Sequence, residues 1–137
     1  SRRELTSLVH LGPLSWTVPL YLGLCPVPGV HYIWMIDLNS TRGHEQAGVR
    51  PGLVISVDRF NHGPAGLVIV LPITTKAKAI PFHVSIAPPE GGLTLKSFVK
   101  CEEVRAISKE RFSQRLGKIS ADSMIAIEDR LRILLNL

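Results

Sequence analysis

The stretch His31-Tyr32-Ile33-Trp34-Met35-Ile36-Asp37-Leu38 decides how this chain is to be read. Aromatic and branched residues crowd it, it holds no glycine or proline, and it gives way to the polar, glycine-containing run Asn39 to Val49. Those are the marks of a β-strand followed by a loop. Downstream, Leu53 to Val57 and Leu67 to Leu71 are apolar runs of strand length, with a turn at Asn61 to Gly66 between them. Phe82 to Ile86 alternates, Pro88-Pro89-Glu90-Gly91-Gly92 makes a turn, and Leu93 to Val99 and Cys101 to Ile107 read as further strands. Short strands at such spacing, joined by short loops, suggest a small β-barrel.

The C-terminus changes period. Ser120 suits a helix N-cap, Asp122 falls in the first turn, and Met124, Ile127, Leu131 and Leu134 recur at helical spacing. The predicted fold class is therefore mainly β with a C-terminal helix (α+β). At 137 residues the chain has room for one domain with one core, and 45% hydrophobic against 20% charged residues excludes disorder.

Upstream of the first strand the text differs. Leu8 to Val27 is apolar but interrupted by Gly12, Pro13, Pro19 and Pro26, too often for a membrane helix. Arg2 and Arg3 precede it as in a signal peptide, yet the large Leu24 stands where a small residue is wanted before cleavage. Residues 1–29 are read as an N-terminal extension of unknown role, residues 30–137 as the functional domain, and the protein as cytoplasmic with no membrane association.

The formal charge is +5, and from Gly29 to Ile119 there are 12 Lys and Arg against 7 Asp and Glu. A basic face of that size fits an anionic partner or a merely solvated surface. Cys25 and Cys101 form no Cys-x-x-Cys pair, which suggests neither a disulfide framework nor a zinc site. The five His (His10, His31, His44, His62, His83) lack metal-ligand spacing and there is no Asp-x-Asp pair. No metal or other cofactor is expected, and hydrolytic chemistry is expected to work without one.

Thr41-Arg42-Gly43-His44-Glu45-Gln46-Ala47-Gly48-Val49-Arg50-Pro51 is the most informative segment. A merely structural loop needs turn residues, not two Arg, a His, a Glu and a Gln, and functional residues concentrate on loops held by a rigid scaffold. RNA cleavage by internal attack of the 2′-OH needs a base, an acid for the leaving 5′-oxygen and cations facing the phosphorane oxygens. His, Glu and Arg can fill those roles.

Ile33-Trp34-Met35-Ile36-Asp37-Leu38-Asn39 followed by this loop closely resembles the N-terminal signature of the MazF/PemK (Kid) toxins. Leu71-Pro72-Ile73-Thr74-Thr75-Lys76 looks like their second motif, and Val99-Lys100-Cys101-Glu102 with Val104-Arg105-Ala106-Ile107 like their third. The resemblance implies an SH3-like small β-barrel of the MazF/CcdB type and a homodimeric toxin of a type II toxin–antitoxin system. It also implies an mRNA interferase, an endoribonuclease cutting single-stranded RNA at short sequences to leave a 2′,3′-cyclic phosphate and a 5′-OH. A cognate MazE-like antitoxin would inhibit it by laying an acidic tail across the RNA groove.

By the same resemblance Arg50 matches the Arg after the loop, and Thr74 the catalytic Thr of the MazF branch. His44 matches the loop His of the Kid branch and Glu45 a loop Glu near the MazF active site. Lys100 and Glu102 fall where Kid carries a catalytic Arg and Asp, leaving base and acid open. Arg42, Gln46, Ser56, Thr75, Lys76, Lys100 and Glu102 are the expected RNA contacts, with Asp58 less supported. The chain departs from the family at Val30, His31 and Tyr32, where an Arg-Gly-Asp or similar is usual, and nothing before about residue 29 matches. Two other readings compete: a CcdB-like gyrase poison, and a non-catalytic RNA-binding barrel, which would need aromatic stacking platforms.

Overall fold

The computed structural model describes residues 27–39 and 48–137. Seven strands carry it: β1 Tyr32–Asp37, β2 Val49–Val54, β3 Leu67–Thr74, β4 His83–Ile86, β5 Ser97–Lys100, β6 Arg105–Ser108 and β7 Phe112–Lys118. A short helix α1, Asp58–Asn61, follows β2, and a long helix α2, Ala121–Leu135, closes the chain. All pairings are antiparallel, in the order β4-β5-β3-β2-β1-β7 with β6 on β3. The path is open, since β4 and β7 end it without pairing to each other.

The long strand β3 organises the sheet. Its first half pairs β6 (Leu67↔Ser108 to Val70↔Arg105), its end pairs β5 (Ile73↔Val99, Thr74↔Phe98), and its other side takes β2. Successive residues point to opposite faces, and both faces are covered. One buries Ile33, Leu53, Leu71, Ile73 and Val99 together with Met124 and Ile127 of α2. The other buries Trp34, Ile36, Val54, Val68, Val70 and Ile107. Burial on both faces is why these strands read as continuous apolar runs instead of alternating ones.

Helix α2 is built as its sequence predicts. Ser120 Oγ accepts from Ser123 N at 3.2 Å, Met124 and Ile127 are buried, and Asn136 ends the helix in the left-handed region at φ 57°. Glu90 ties the preceding turn to this cap by accepting from Ser120 N and Oγ. Burial alone would push its carboxyl up, but hydrogen bonds from Ser123 and Ser120 outweigh it and hold the group below its ordinary value.

Several details differ from the sequence reading: β5 begins only at Ser97, where a strand from Leu93 was expected, and β6 only at Arg105, where one from Cys101 was expected, because 93–96 and 101–104 turn. β2 starts at Val49 and stops at Val54, so the end of the expected loop is strand and Ser56 and Val57 lie outside it. Its Gly52 looked like loop punctuation, yet a Cβ there would fall 2.5 Å from Ile36 Cδ1 on β1, so the glycine serves close packing. β3 continues through Pro72 to Thr74. Finally, β7 was not foreseen. Phe112-Ser113-Gln114-Arg115-Leu116-Gly117-Lys118 has two apolar residues and pairs β1 with two register shifts, so no clean period marks it. Among the described residues no helix is long and apolar enough to cross a membrane.

Candidate active site

The centre of interest is the end of the sheet where β1 finishes, β2 begins and β3 finishes. Ile36 of β1 pairs Arg50, and Thr74 of β3 pairs Phe98. The β2–β3 ladder ends at the pair Gly52↔Pro72, and Arg50 and Thr74 each lie two residues beyond that pair on their own strands, on the face it defines. Cross-strand partners project to one face, so the two side chains stand on the same side of adjacent strands. Hydrogen bonding from Leu38 N to Gly48 O at 2.8 Å closes the base of the intervening loop beside them.

Gly48 has φ +82°, a conformation that suits glycine, and a Cβ there would meet Arg50 Nε at 3.8 Å. The loop therefore enters β2 by a left-handed step directly against the Arg50 side chain, which is itself exposed. Thr74 is half-buried, and its Oγ1 accepts from Lys76 N at 3.2 Å. That bond uses a lone pair and leaves the hydroxyl proton available to a ligand. Thr75 and Lys76 follow as exposed residues at the mouth. Together these supply a guanidinium, a hydroxyl and an ammonium within one strand-end cluster, a set suited to phosphate.

The other sequence-predicted residues fare differently. Arg42, His44, Glu45 and Gln46 lie outside the described residues. Ser56 is buried: its hydroxyl donates to Asn61 Oδ1 and accepts from Ile69 N at 2.9 Å. Asn61 in turn donates to Pro28 O and Ser56 O, so Ser56 belongs to the network that stitches α1 to the sheet, away from a surface ligand. Asp58 accepts from Val30 N at 2.9 Å in the same region.

Lys100 is also buried, 8% exposed, and its ammonium is paired with Glu103. Glu103 also binds Arg105 Nη2 at 2.9 Å, and Glu102 Oε2 meets His83 Nε2 at 2.8 Å. Alternation puts Lys100 and His83 on the face of Thr74 and Phe98, one step further along β5 and β4. Beneath them Cys101 is buried and free, and burial first, then the Glu102 charge, pushes its thiol up to about 12. His83, Glu103 and Arg105 were not among the residues singled out for the site in the sequence. The available signal was that His83 and Ser85 fall opposite the apolar Val84 and Ile86 in an alternating strand.

Trp34 is core, 5% exposed, with Phe112 edge-on at 6.1 Å. Tyr32, Phe60, Phe82, Phe98 and Phe112 are half-buried, so each ring keeps part of its surface open. Among the described residues no three His, Cys, Asp or Glu side chains converge on a common point.

Comparison with known proteins bears on this geometry. Residues 31–135 match the model of the PemK-like, MazF-like toxins of type II toxin–antitoxin systems. The chain is 33% identical over 110 residues to Endoribonuclease MazF9 of Mycobacterium tuberculosis, covering 77% of this chain and 93% of that one. Among solved structures, MazF from Deinococcus radiodurans superposes with a TM-score of 0.73 at 29% identity, covering 82% of this chain and 99% of that one. A MazE-MazF structure from the same organism does so with 0.67 at 30%, covering 82% and 98%.

Proposed function

Because the chain belongs to the family of PemK-like, MazF-like toxins of type II toxin–antitoxin systems, we propose that Arg50 and Thr74 form the centre at which it cuts RNA. The protein is an endoribonuclease. Its substrate is single-stranded mRNA, its assembly a homodimer, and its inhibitor a cognate MazE-like antitoxin, as in the MazE-MazF pair of Deinococcus radiodurans. The observation that supports this reading is that Arg50 on β2 and Thr74 on β3 each lie two residues beyond the Gly52–Pro72 pair that ends the β2–β3 ladder.

The chemistry follows from that placement. The 2′-OH attacks the adjacent phosphorus, its proton leaves to a base, and the 5′-oxygen departs as it takes a proton, giving a 2′,3′-cyclic phosphate and a 5′-OH. Charge gathers on the non-bridging oxygens as the phosphorane forms. The Arg50 fork donates two parallel hydrogen bonds to those oxygens, and Thr74 donates a third. His44 and Glu45 serve as acid and base from the loop. Arg42, Gln46, Thr75 and Lys76 hold the flanking nucleotides, and Lys100 and Glu102 shape the floor from below. No metal takes part.

Residues 30–137 form the toxin domain, residues 1–29 an extension to it, and the protein works in the cytoplasm. The curled antiparallel sheet with its shared strand β3 is in keeping with a partly open SH3-like barrel. Sequence selectivity resides in the loop and the strand-end residues, which meet unstacked bases.

The test is single-turnover cleavage of a long single-stranded RNA with end mapping. Cleavage should persist in excess EDTA, and 2′-deoxyribose at the mapped site should abolish it there. Activity lost on chelation and restored by a divalent ion would refute the mechanism. Relaxation of supercoiling or trapping of a topoisomerase without RNA cleavage would favour the gyrase-poison reading.

A further inference from the structure

The outermost strand carries a second feature that the site does not use. Among the described residues β7 pairs only β1, so it forms an edge of the described sheet, and it contains no acidic residue. Arg111, just before it, donates from Nη1 to Asn39 O at 2.8 Å, at the foot of the active-site loop. At the far end Arg115 and Lys118 converge on Tyr32: the guanidinium carbon lies 5.1 Å and the ammonium 5.7 Å from the ring centroid. Both cations are exposed, and among the described residues neither has a carboxylate partner.

Holding two like charges on one ring in water has a cost that an anion would remove. The ring offsets part of it by cation–π attraction and fixes where the two heads point. Lys100 and Arg105, by contrast, already have their charges met by Glu103, whereas the edge cations have no such partner among the described residues. Tyr32 is four residues along β1 from Ile36, the partner of Arg50, a span of roughly 13 Å at strand rise. An aromatic ring with flanking cations, lined up with the loop foot through Arg111, has the make-up of a surface that tracks a single-stranded backbone.

We infer that the β7 edge, through Arg111, Arg115, Lys118 and Tyr32, binds the phosphate backbone of the RNA substrate outside the cut site. The inference rests on the endoribonuclease reading above and extends it. It makes the enzyme's grip on RNA depend on substrate length, with the edge engaged only by strands long enough to run from the Arg50 end to Tyr32.

The experiment uses the full chain and an Arg115→Gln, Lys118→Gln double variant, which keeps side-chain stems on the Tyr32 ring. Binding of two RNAs with 2′-deoxyribose at the mapped site, of about 16 and about 4 nucleotides, is measured against salt. Each phosphate contact on a single strand contributes about 0.7 to the slope of log affinity against log salt. On the long RNA the double variant should show a slope shallower by about 1.4. From 50 to 200 mM salt the wild type should then lose about sevenfold more affinity than the variant. On the short RNA the two slopes should coincide.

Equal slopes on the long RNA overturn the inference, as does a difference of the same size on the short one. Lost binding of polyglutamate with the RNA slope intact would assign the edge to an acidic protein segment, and overturn it too. A wild type that cuts RNA while the slopes coincide defeats this inference alone. A wild type that cuts no RNA defeats the parent reading, and this one with it.

Discussion

Arg50 and Lys100 are cations on the same face of one sheet, separated by β3 and the start of β5, and they end in opposite conditions. Arg50 stands exposed at a strand mouth beside a glycine that opens the loop. Lys100 is buried and paired with Glu103, which also holds Arg105, while His83 and Glu102 form a second pair alongside. Buried ion pairs repay their desolvation only when the geometry is good, and they leave little charge for a ligand. The contrast is between an exposed cation at a strand end and buried cations held within the sheet by Glu103.

The sharpest way to break this contrast is at Arg50. Arg50→Ala should slow single-turnover cleavage ~100-fold to ~1000-fold, roughly 3 to 4 kcal/mol of transition-state stabilisation. Its unfolding free energy should stay within about 0.5 kcal/mol of wild type, as for a surface substitution. Arg50→Lys should recover only part of the rate, since a point charge lacks the two-pronged fork. A wild-type rate for Arg50→Ala would make the residue scaffold and collapse the distinction.

The converse holds at Glu103. Glu103→Ala leaves Lys100 and Arg105 in a nearly dry site without the carboxylate that joins them, which should cost about 3 kcal/mol of stability in urea unfolding. The loss should appear in stability before it appears in cleavage under conditions where the variant is folded. A Glu103→Ala protein as stable as wild type would show the network to be solvated and its cations open to RNA.

The smallest effect sharpens the picture beneath that network. With Cys101 pushed up to about 12, the native thiol should resist alkylation at pH 8 in a Cys25→Ser protein and label only on unfolding. The sign follows from the raised value. The neutral buried thiol contributes its stability in full below the ordinary value of 9.0, and that contribution drains away as pH rises toward 12. Rapid labelling of folded protein would mean that water reaches under Glu102.

Much of this molecule was legible before any coordinate. The strand at residues 32–37 and the helix from Ser120 announce themselves by local composition and period, because strand and helix are set by neighbours a few residues away. The loop motif through Arg50, with the Leu71 to Lys76 and Val99 to Ile107 segments, pointed to the family that residues 31–135 match. Strand β7 was hidden because its apolar spacing is broken by bulges, and the first half of β2 because Gly48 and Pro51 read as loop.

Ser56 and Lys100 show what the sequence could not say. A serine after a strand and a lysine at a strand end look alike on the page as surface contacts. Asn61 and Ile69 enclose the first, and Glu103 neutralises the second. Sequence alone determined which family the chain belongs to and where its strongest elements begin, since those are properties of short segments. Only the tertiary structure decided which charges remain available, because burial and ion pairing depend on partners that the sheet register brings together. The same register pairs Gly52 with Pro72 across the whole connection from β2 to β3, two residues short of Arg50 and Thr74.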